Sequence, residues 1–384
     1  MKNIAVMIET SRAYGRTLME GIAAHAQKAG DWKLRSLADE RVTAARLAKY
    51  DGIIIRLGDR RTERAIIESG VPAVDVYGYS TRPGGLPVAD GDHERTGELA
   101  AEFFLGRGFV HLAWCGIDGL SFSDRRGEGF CQSVRRHGLK PIRYSSKSRR
   151  RPDPSLFYGE RLDCIPDMCE LADWLKTLPK PAAVFCCHDY RAYQLMLVAE
   201  DLKLKIPNEL AILGVDNDMT LCSFAPVPLS SIDPDAFAVG KSAAEMLDEA
   251  MKSRPRGIRS VAIPPAGIVQ RESTDFIPTG IPWLSDAMLF IEKNWSRAIS
   301  ASDVIAVSGR SSTYAERLFR RKTGQSIHAY LTQLRLKNAK LLLETTDLQV
   351  KVIAANCGYT SAQYFNRMFL HTYGRSPLSF RPTT

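Results

Sequence analysis

The last hundred residues of this 384-residue chain contain an internal repeat, which restricts the possible folds more than any other feature of the sequence. Six positions are identical at an offset of fifty residues, and the six fall within a stretch of sixteen. The pairs are Ser311 and Ser361, Tyr314 and Tyr364, Arg317 and Arg367, Phe319 and Phe369, Gly324 and Gly374, and Ser326 and Ser376. Because similarity at a fixed period marks copies of one structural unit, we expect two similar units in series.

Each copy of the repeat has the pattern of two helices separated by a tight turn. In the second copy, residues 352–356 predict an apolar helix, and Gly358 can adopt the positive φ needed where that helix ends. Thr360 or Ser361 then supplies a cap for the following helix. Residues 304–308 occupy the same place in the first copy, so both copies are predicted to be helix-turn-helix units.

Two further helical patterns frame the repeat. Residues 284–295 would pack beside the first copy, and residues 330–345 predict a long helix that joins the two copies. Between residues 274 and 282, prolines and a glycine interrupt the pattern, as is typical of a linker. The sequence therefore predicts a linker at 273–284 and an all-α domain with two helix-turn-helix units at 285–384. A plain helical bundle is the alternative.

The excess positive charge of the chain is concentrated in this predicted C-terminal domain. Residues 285–384 contain 14 Lys and Arg against 6 Asp and Glu, whereas residues 1–284 contain 38 against 37. A basic module joined to a nearly neutral one indicates a polyanion-binding unit under the control of a second domain. A basic tail that only aids solubility is the alternative. Together with the predicted motifs, the charge favours double-stranded DNA, bound sequence-specifically, as a partner.

The residues expected to read DNA lie on the second helix of each unit, because this helix enters the major groove. Arg is suited to guanine, Gln or Asn to adenine, and Glu to cytosine. The predicted base-reading positions are Ser312, Thr313, Glu316, Arg317, Arg320, Ala362, Gln363, Asn366 and Arg367. Phosphate contacts are expected from Arg321, Lys322, Lys337 and Arg375. For the repeated arginines Arg317 and Arg367, a shared structural ion pair is the alternative.

Residues 1–272 have a different pattern, in which short apolar runs alternate with longer amphipathic stretches. The predicted strands, about seven in number, are residues 4–8, 52–55, 73–76, 111–115, 182–187, 210–215 and 260–263. The helical patterns between them include residues 17–29, 94–105, 127–137, 190–202 and 237–251. Buried strands that alternate with helices indicate a mainly parallel, doubly wound α/β architecture. The strand number favours two lobes, with crossovers near 116–120, 230–235 and 263–268 and irregular stretches at 145–154 and 225–234.

The helical domain resembles a known family. The run YFNRMF at 364–369, with Gly374, Pro377 and Arg381, resembles the C-terminal signature of AraC-type regulators, and the resemblance covers about residues 285–382. It implies two recognition helices that read successive major grooves on one face of the DNA. It also implies binding to direct repeats as a homodimer, with RNA polymerase as a further candidate partner.

Residues 1–272 resemble a second family, the periplasmic-binding-protein-like effector domain of LacI-type repressors. The motif RGEGF at 126–130 and the run GVDN at 214–217 carry this resemblance, together with Asp189 after a predicted strand. LacI-type repressors have their DNA-binding unit at the opposite end, so only the sensor is shared with them. An effector domain of this kind before an AraC-type module is the arrangement of xylose-operon activators, which the whole chain resembles. The resemblance suggests D-xylose as the effector.

The expected effector site lies beyond the carboxyl ends of parallel strands, where Asp189 and Asp216 fall. Carboxylates accept hydrogen bonds from sugar hydroxyls, and arginine donates to hydroxyl oxygens. The predicted ligand-binding residues are Arg126, Asp189, Asp216, Asn217, Tyr14, Arg16 and Asp92. The structural alternatives are helix caps for Asp92 and Asp189 and a turn for Asp216. An aromatic stacking partner is expected among Tyr77, Trp114 and Phe122.

The chain lacks the sequence motifs that are typical of enzymes, exported proteins and membrane proteins. The chain has no GxGxxG, P-loop or GxSxG motif, which argues against an enzyme; a sugar-active α/β enzyme with a basic helical tail is the alternative. The N-terminal apolar run is too short for a signal peptide, and none approaches the roughly 18 residues of a membrane span, so a cytoplasmic protein is expected. The eight cysteines form no CxxC pair, and we expect neither a metal nor a cofactor.

Overall fold

The computed structural model describes residues 1–37, 42–78, 85–145, 167–252 and 260–381. The chain divides into two compact units, Met1–Asp275 and Phe276–Thr384. Within the described residues, the first unit contains strands and helices, and the second contains helices only. Across the same residues, no helix combines the length and the apolar character needed to cross a membrane.

The first unit consists of two sheets with helices packed against them. Its strands are β1 (Lys2–Met7), β2 (Trp32–Ser36), β3 (Gly52–Ile55), β4 (Ala73–Asp75), β5 (Val88–Gly91), β6 (Leu112–Cys115), β7 (Ile142–Arg143), β8 (Ala182–Cys186), β9 (Leu210–Val215), β10 (Ser230–Asp233), β11 (Ser260–Ile263) and β12 (Gly267–Val269). Its helices are α1 (Ala13–Ala29), α2 (Ala44–Leu47), α3 (Arg60–Ser69), α4 (His93–Gly106), α5 (Ser121–Arg136), α6 (Met168–Thr177), α7 (Asp189–Asp201), α8 (Met219–Phe224) and α9 (Ala236–Lys252). A short 3-10 turn follows at Glu272–Thr274.

The two sheets define two lobes. The strand order is β11-β5-β4-β3-β1-β2 in the sheet of lobe 1 and β12-β10-β9-β8-β6-β7 in the sheet of lobe 2. Neighbouring strands run parallel, except that β12 is antiparallel to β10. The predicted fold class, a two-lobed parallel-sheet α/β domain followed by an all-α domain with two helix-turn-helix units, is confirmed.

The apolar strands are buried on both faces, which explains why their sequences show no polar alternation. All four residues of β3 are buried. Because successive side chains point to opposite faces of a sheet, Ile54 packs in the core beneath α1 and α9. Its neighbours Ile53 and Ile55 pack on the other face with Leu47 and Ile66. A strand that is buried on both faces needs apolar residues at every position, so continuous apolar runs such as this one predicted strands correctly.

In the part of the first unit that the structure describes, the chain crosses between the lobes three times. β5 leads into α4, which packs on α5 in lobe 2, and β10 leads into α9, which packs on α1 in lobe 1. The third crossing joins β11 to β12. The crossings lie at 91–93, 233–236 and 263–267, so the predicted first crossing at 116–120 is wrong. The prediction overlooked β5, whose sequence VADG ends in an aspartate and a glycine instead of an apolar run.

Five strands were missed from the sequence because they are short or polar: β2, β5, β7, β10 and β12. The strand β10 lies inside the sheet although Ser230 and Ser231 are fully buried in it. Both hydroxyl groups are hydrogen-bonded, which offsets the cost of burying them. The stretch 225–234, predicted to be irregular, therefore contains a strand. Of the other predicted irregular stretch, 145–154, all but the first residue lie outside the described residues.

Glycines allow α4 and α5 to cross with their backbones close together. A Cβ atom on Gly97 would lie 2.0 Å from the carbonyl oxygen of Arg126, and one on Gly129 would lie 2.2 Å from that of Glu94. Larger residues would force the helices apart. The two glycines therefore hold Arg126 close to the point where the chain first crosses between the lobes.

Up to residue 381, the second unit contains six α-helices and a short 3-10 turn at Leu378–Phe380. The α-helices are α10 (Pro282–Asn294), α11 (Ala301–Ser308), α12 (Ser312–Thr323), α13 (Ile327–Thr345), α14 (Val350–Asn356) and α15 (Ala362–Tyr373). The pairs α11 and α12, and α14 and α15, are the helix-turn-helix units that the repeat predicted. Gly358 has a φ of 74°, and the side chain of Ser361 accepts a hydrogen bond from the backbone N–H of Tyr364. Both features match the predicted turn and cap.

The positions that recur after fifty residues have structural roles in both copies. Phe319 and Phe369 are fully buried, each in the core of its own helix-turn-helix unit. Gly324 and Gly374 end the second helix of each copy with φ values of 78° and 70°, in the left-handed region where glycine is favoured. Repeated core and helix-end positions therefore account for much of the sequence identity between the copies.

The boundary between the units lies inside the predicted linker, 273–284. Ser273 and Thr274 are fully buried within the first unit. The helix α10 begins at Pro282. The segment between the buried turn and this helix is therefore 275–281.

Candidate functional site

A cleft of about 450 Å³ lies between the two lobes, beyond the carboxyl ends of parallel strands. It is lined by Ser11, Arg12, Ala13, Tyr14 and Arg16 of lobe 1, and by Asp189, Tyr190, Asp216, Asp218, Thr220, Leu221 and Phe224 of lobe 2. The lobe 1 residues follow β1, and those of lobe 2 follow β8 and β9. Carboxylates, a guanidinium and a phenol beside an apolar wall can bind a small molecule that carries several hydroxyl groups.

Asp216 and Arg126 form the charged pair at the base of this site. Asp216 follows β9 with a φ of 109°, and its Oδ1 lies 3.8 Å from Nη2 of Arg126. Arg126 is only 2% exposed, and its Nη1 donates a 2.5 Å hydrogen bond to the carbonyl oxygen of Cys187. Its guanidinium also lies 5.2 Å from the ring centre of Phe122. The arginine is thus fixed from two sides and can orient the carboxylate.

Arg126 does not line the cleft surface itself but lies directly behind it. Its Nε is buried and has no hydrogen-bond partner among the residues that the structure describes. A buried donor without a partner is energetically unfavourable, so this atom is available to a ligand that reaches past Asp216.

Asp189 is buried more deeply than Asp216. Its carboxylate accepts hydrogen bonds from Oγ of Ser231 at 2.6 Å and from the backbone N–H of Asp218 at 2.9 Å. Burial and the neighbouring charge of Asp216 raise the pKa of Asp189. Gly214 leaves room for this carboxylate, since a Cβ atom there would lie 2.1 Å from Oδ1. The absence of a side chain at Gly214 therefore makes space for Asp189, which follows the neighbouring strand β8.

Two predicted ligands come from the first turn of α1, directly after the loop that follows β1. Tyr14 lines the cleft, and burial raises the pKa of its phenol, so the hydroxyl group stays protonated at neutral pH. Arg16 also lines the cleft, but its Nη1 donates to the carbonyl oxygens of Thr10 and Ser11 at 3.0 and 2.8 Å. The arginine therefore holds the loop as well as facing the cleft.

Asn217 and Asp92 do not line the cleft. The side-chain oxygen of Asn217 accepts a 2.8 Å hydrogen bond from Nη2 of Arg271. Asp92 caps α4 by accepting from the backbone N–H of Arg95, which is the structural alternative that the sequence left open. The corresponding alternative for Asp189 is wrong, because His188 caps α7 and Asp189 is the first residue of that helix.

None of the three aromatic residues predicted as stacking partners lines the cleft. Trp114 is 2% exposed and packs on Phe185 in the core of lobe 2, so it cannot contact a ligand in the cleft. Tyr77 is covered by Arg56 at 4.8 Å, and Phe122 packs against Tyr77 and Arg126. Neither lines the cleft.

Sequence reasoning missed the contact between Arg12 and Tyr190, both of which line the cleft. The guanidinium of Arg12, in lobe 1, lies 4.4 Å from the ring centre of Tyr190, in lobe 2. The contact joins the lobes across the cleft by a cation–π interaction. Residues 178 positions apart along the chain leave no local pattern that would predict their pairing.

Asp90 at the end of β5 was also missed, although it lies two residues from the predicted Asp92. It is 4% exposed, and its Oδ2 lies 3.1 Å from Nε2 of His93 and 3.7 Å from Nη1 of Arg125. The interaction with His93 lowers the pKa of Asp90 despite the opposing effect of burial, so this carboxylate stays ionised. Asp90 is therefore a charged group at the first crossing between the lobes.

The predicted DNA-reading residues lie on the exposed sides of α12 and α15. Ser312, Thr313, Arg317 and Arg320 are exposed on α12, with Glu316 partly exposed. Gln363, Asn366 and Arg367 are exposed on α15, with Ala362 partly exposed. Within the described part of the chain, neither Arg317 nor Arg367 is paired with a carboxylate, and the guanidinium of Arg367 lies 5.4 Å from the ring centre of Tyr364. The geometry therefore gives no support to a shared structural ion pair.

The two helix-turn-helix units are tied together by Arg335 of α13. Its guanidinium donates to the carbonyl oxygens of Trp295, Arg297 and Ile299 at 2.6 to 3.1 Å, in the loop before α11. On its other side it lies 5.6 Å from the ring centre of Tyr359, which belongs to the second helix-turn-helix unit. One side chain thus connects both units, which restricts the spacing of α12 and α15.

A ligand-binding cleft in one unit and two linked helix-turn-helix units in the other define a DNA-binding regulator with a sensory domain. Comparison with known proteins agrees: residues 101–274 match the family model of a periplasmic binding protein-like domain, and residues 305–383 match that of a helix-turn-helix domain. The chain therefore belongs to the AraC-type transcriptional regulators in which a periplasmic-binding-protein-like domain precedes the helix-turn-helix domain.

Individual relatives match over nearly the whole chain. The chain is 26% identical to the xylose operon regulatory protein of Escherichia coli (strain K12), over 98% of this chain and 96% of that protein. It is 25% identical to the Haemophilus influenzae protein of the same name, over 98% of this chain and 97% of the relative. The solved structure of a xylose-binding transcription activator has a TM-score of 0.62 and 25% identity, covering 99% of this chain and 97% of that one. Both predicted family resemblances are confirmed.

Proposed function

We propose that the protein is a sugar-responsive transcriptional activator that binds D-xylose in the cleft between the lobes and operator DNA through α12 and α15. It acts as a homodimer in the cytoplasm, with RNA polymerase as a further partner, and it catalyses no reaction. D-xylose is proposed because two relatives that match 98% of the chain are xylose operon regulatory proteins.

The observation that carries the proposal is the convergence of polar groups from both lobes on one cleft, in a chain with two helix-turn-helix units. Tyr14 contributes a hydroxyl group from lobe 1, and Asp189 and Asp216 contribute carboxylates from lobe 2. Sugar hydroxyls donate to such carboxylates, and the buried Arg126 is placed to donate to a sugar oxygen. Asn217 and Asp92 are better explained as positioning and capping residues than as ligands.

The mechanism follows from the position of the cleft. A sugar that contacts both lobes binds more tightly when the lobes are closed around it, so it shifts the population towards the closed arrangement. The three chain crossings are the segments where the backbone can absorb such a movement. A ligand can control DNA binding only to the extent that its affinity differs between the two arrangements.

Thermal unfolding in the presence of sugars tests the proposed effector. D-xylose at a hundred times its dissociation constant should stabilise the protein by about 2.7 kcal/mol, a shift of several degrees in the sensor transition. L-arabinose, D-ribose, D-galactose and buffer alone serve as controls, and xylose is expected to give the largest shift. If no sugar of this panel raised the transition temperature, the proposal of a sugar cleft would be untenable.

The affinity for D-xylose is expected to fall as the pH drops through 6. Burial raises the pKa of Asp216 to about 6, so at pH 5 only about a tenth of the molecules carry the carboxylate that accepts from the sugar. The charged groups that act on this carboxyl group are Arg126, Arg12 and Arg56, which favour ionisation, and Asp218 and Asp189, which oppose it. Calorimetric titration should show about tenfold weaker binding at pH 5 than at pH 7.5. Asp216→Asn should bind weakly at both values, and a wild-type affinity independent of pH would argue against this role.

A further inference from the structure

Arg271 connects the cleft to the end of the first unit. It follows β12, and its Nη1 donates a 2.9 Å hydrogen bond to the carbonyl oxygen of Leu229. Its Nη2 donates at 2.8 Å to the side-chain oxygen of Asn217, the residue directly after Asp216. One guanidinium therefore holds two segments that precede it by 42 and 54 residues in the chain.

From Asn217 the hydrogen bonds continue to the second cleft carboxylate. The backbone N–H of Asn217 donates to Oγ of Ser231 at 2.9 Å, and this hydroxyl donates in turn to Oδ1 of Asp189 at 2.6 Å. Ser231 is fully buried in β10, which lies between β12 and β9 in the sheet. Arg271 is thus linked to Asp189 through Asn217 and Ser231. It is linked to Asp216 through the peptide bond between Asp216 and Asn217.

The backbone around Asp216 requires such support. Asp216 and Asn217 have φ values of 109° and 48°, although neither is glycine. Positive φ values in non-glycine residues persist only where the surroundings determine them. The contacts of Asn217 with Arg271 and Ser231 meet this requirement. Arg271 therefore helps to fix the backbone that places the Asp216 carboxylate in the cleft, together with the 3.0 Å hydrogen bond from the backbone N–H of Asp216 to the carbonyl oxygen of Ile232.

At its other end, Arg271 begins the turn that closes the first unit. Its backbone N–H donates to Oγ of Ser230 at 2.8 Å, and this hydroxyl lies 2.7 Å from Oγ1 of Thr274. Ser273 accepts from the backbone N–H of Ser230 at 2.8 Å and donates to the carbonyl oxygen of Ile212 at 2.6 Å. The turn is followed immediately by the segment 275–281 that leads to the helical unit.

We propose that Arg271 is a positioning residue that couples sugar occupancy at Asp189 and Asp216 to the segment leading to the DNA-binding unit. A movement of the turn carrying Asp216 and Asn217 on sugar binding changes the contact of Asn217 with Arg271 and, through it, the buried turn at Glu272–Thr274. This inference rests on the proposed function, because it needs a sugar in the cleft. It adds a route by which occupancy reaches the end of the sensory unit.

The test measures coupling separately from binding in the full-length protein. The operator is a DNA duplex selected for tight binding by the wild-type protein, and its affinity is measured with and without saturating D-xylose. The ratio of the two affinities is the coupling factor, and the affinity for D-xylose must change by the same factor when DNA is bound. Arg271→Ala is expected to reduce this factor at least fivefold while operator affinity without sugar stays within about twofold.

Asn217→Ala removes the acceptor of the contact while keeping Arg271, and it should reduce the coupling factor similarly. The double variant should add little, because both substitutions break one interaction. Arg271→Lys keeps the charge but cannot bridge Leu229 and Asn217 in the same way, so it should lose much of the coupling. Glu272→Ala changes the exposed neighbour in the same turn and should behave like the wild-type protein.

The outcomes separate the two proposals. If the wild-type protein responds to D-xylose and Arg271→Ala and Asn217→Ala both keep its coupling factor, the role of Arg271 is refuted while the proposed function stands. A purely structural role would lower thermal stability and both affinities but leave the factor unchanged, and this result would also overturn the inference. If Arg271→Ala does not fold, Asn217→Ala decides the matter. A wild-type protein that binds no sugar would overturn both proposals.

Discussion

Arg126→Ala is expected to weaken D-xylose binding by about 100-fold, which corresponds to roughly 3 kcal/mol. Arg126 is 2% exposed and orients the Asp216 carboxylate, and its buried Nε has no hydrogen-bond partner among the described residues. Truncating one member of a buried charge pair also leaves the other charge without compensation, which typically costs 2 to 5 kcal/mol. Calorimetric titration of the purified variant with D-xylose measures the effect directly.

The matched control is Arg135→Ala on the same helix. Arg135 is half exposed, and its Nη1 lies 3.8 Å from Glu128, away from the cleft. This variant should bind D-xylose like the wild-type protein. Non-specific DNA binding by Arg126→Ala should also be unchanged, because the recognition helices belong to the second unit. Wild-type sugar affinity in Arg126→Ala would remove this residue from the site, and simultaneous loss of sugar and DNA binding would argue against separable modules.

The second large effect is expected at the DNA interface, where Arg317→Ala should weaken operator binding by about 1 to 3 kcal/mol. The side chain is exposed on α12 and is not paired with a carboxylate within the described residues, so it is free to contact a base edge. Loss of a base contact relaxes the sequence preference at one position of the site. Selection of preferred duplexes from a randomised pool, followed by titration, would reveal both changes.

Lys322→Ala is the matched comparison on the same helix. Lys322 lies in the last turn of α12 and is expected to contact phosphate, so its loss should weaken binding equally for all sequences. It should also reduce the salt dependence of binding by about one unit of slope. If Arg317→Ala behaved like Lys322→Ala, with an unchanged sequence preference, Arg317 would be a phosphate contact and not a base-reading residue.

The helical unit was predictable from the sequence in most of its detail. The fifty-residue repeat identified both helix-turn-helix units, and it did so because buried phenylalanines and left-handed glycines must recur wherever the same small unit is built twice. Gly358 and Ser361 were recognised as turn and cap because both roles depend on local backbone geometry. Roles of this kind can be predicted from the residue type and its immediate neighbours in the sequence.

The sensory unit was less predictable where polar residues serve non-local partners. Strands buried on both faces, such as β3 and β9, were found by their apolar runs. The interior strand β10 was missed because its buried serines form hydrogen bonds with Asp189 and with Arg271 after β12. These partners are distant in the chain, so no local sequence pattern indicates them. Missing β5 also displaced the first predicted crossing.

For the site, the sequence by itself determined which strand ends carry carboxylates and that a basic helical domain follows. Only the tertiary structure decided how those groups are used: Asp216 faces Arg126 in the site, Asn217 is held by Arg271, and Asp92 caps a helix. The physical reason is that a cleft between lobes is formed by segments far apart in the chain. Helix and strand periodicity follows from neighbouring residues, whereas the hydrogen-bond partner of a carboxylate or an amide is set by whichever distant segment the fold places beside it.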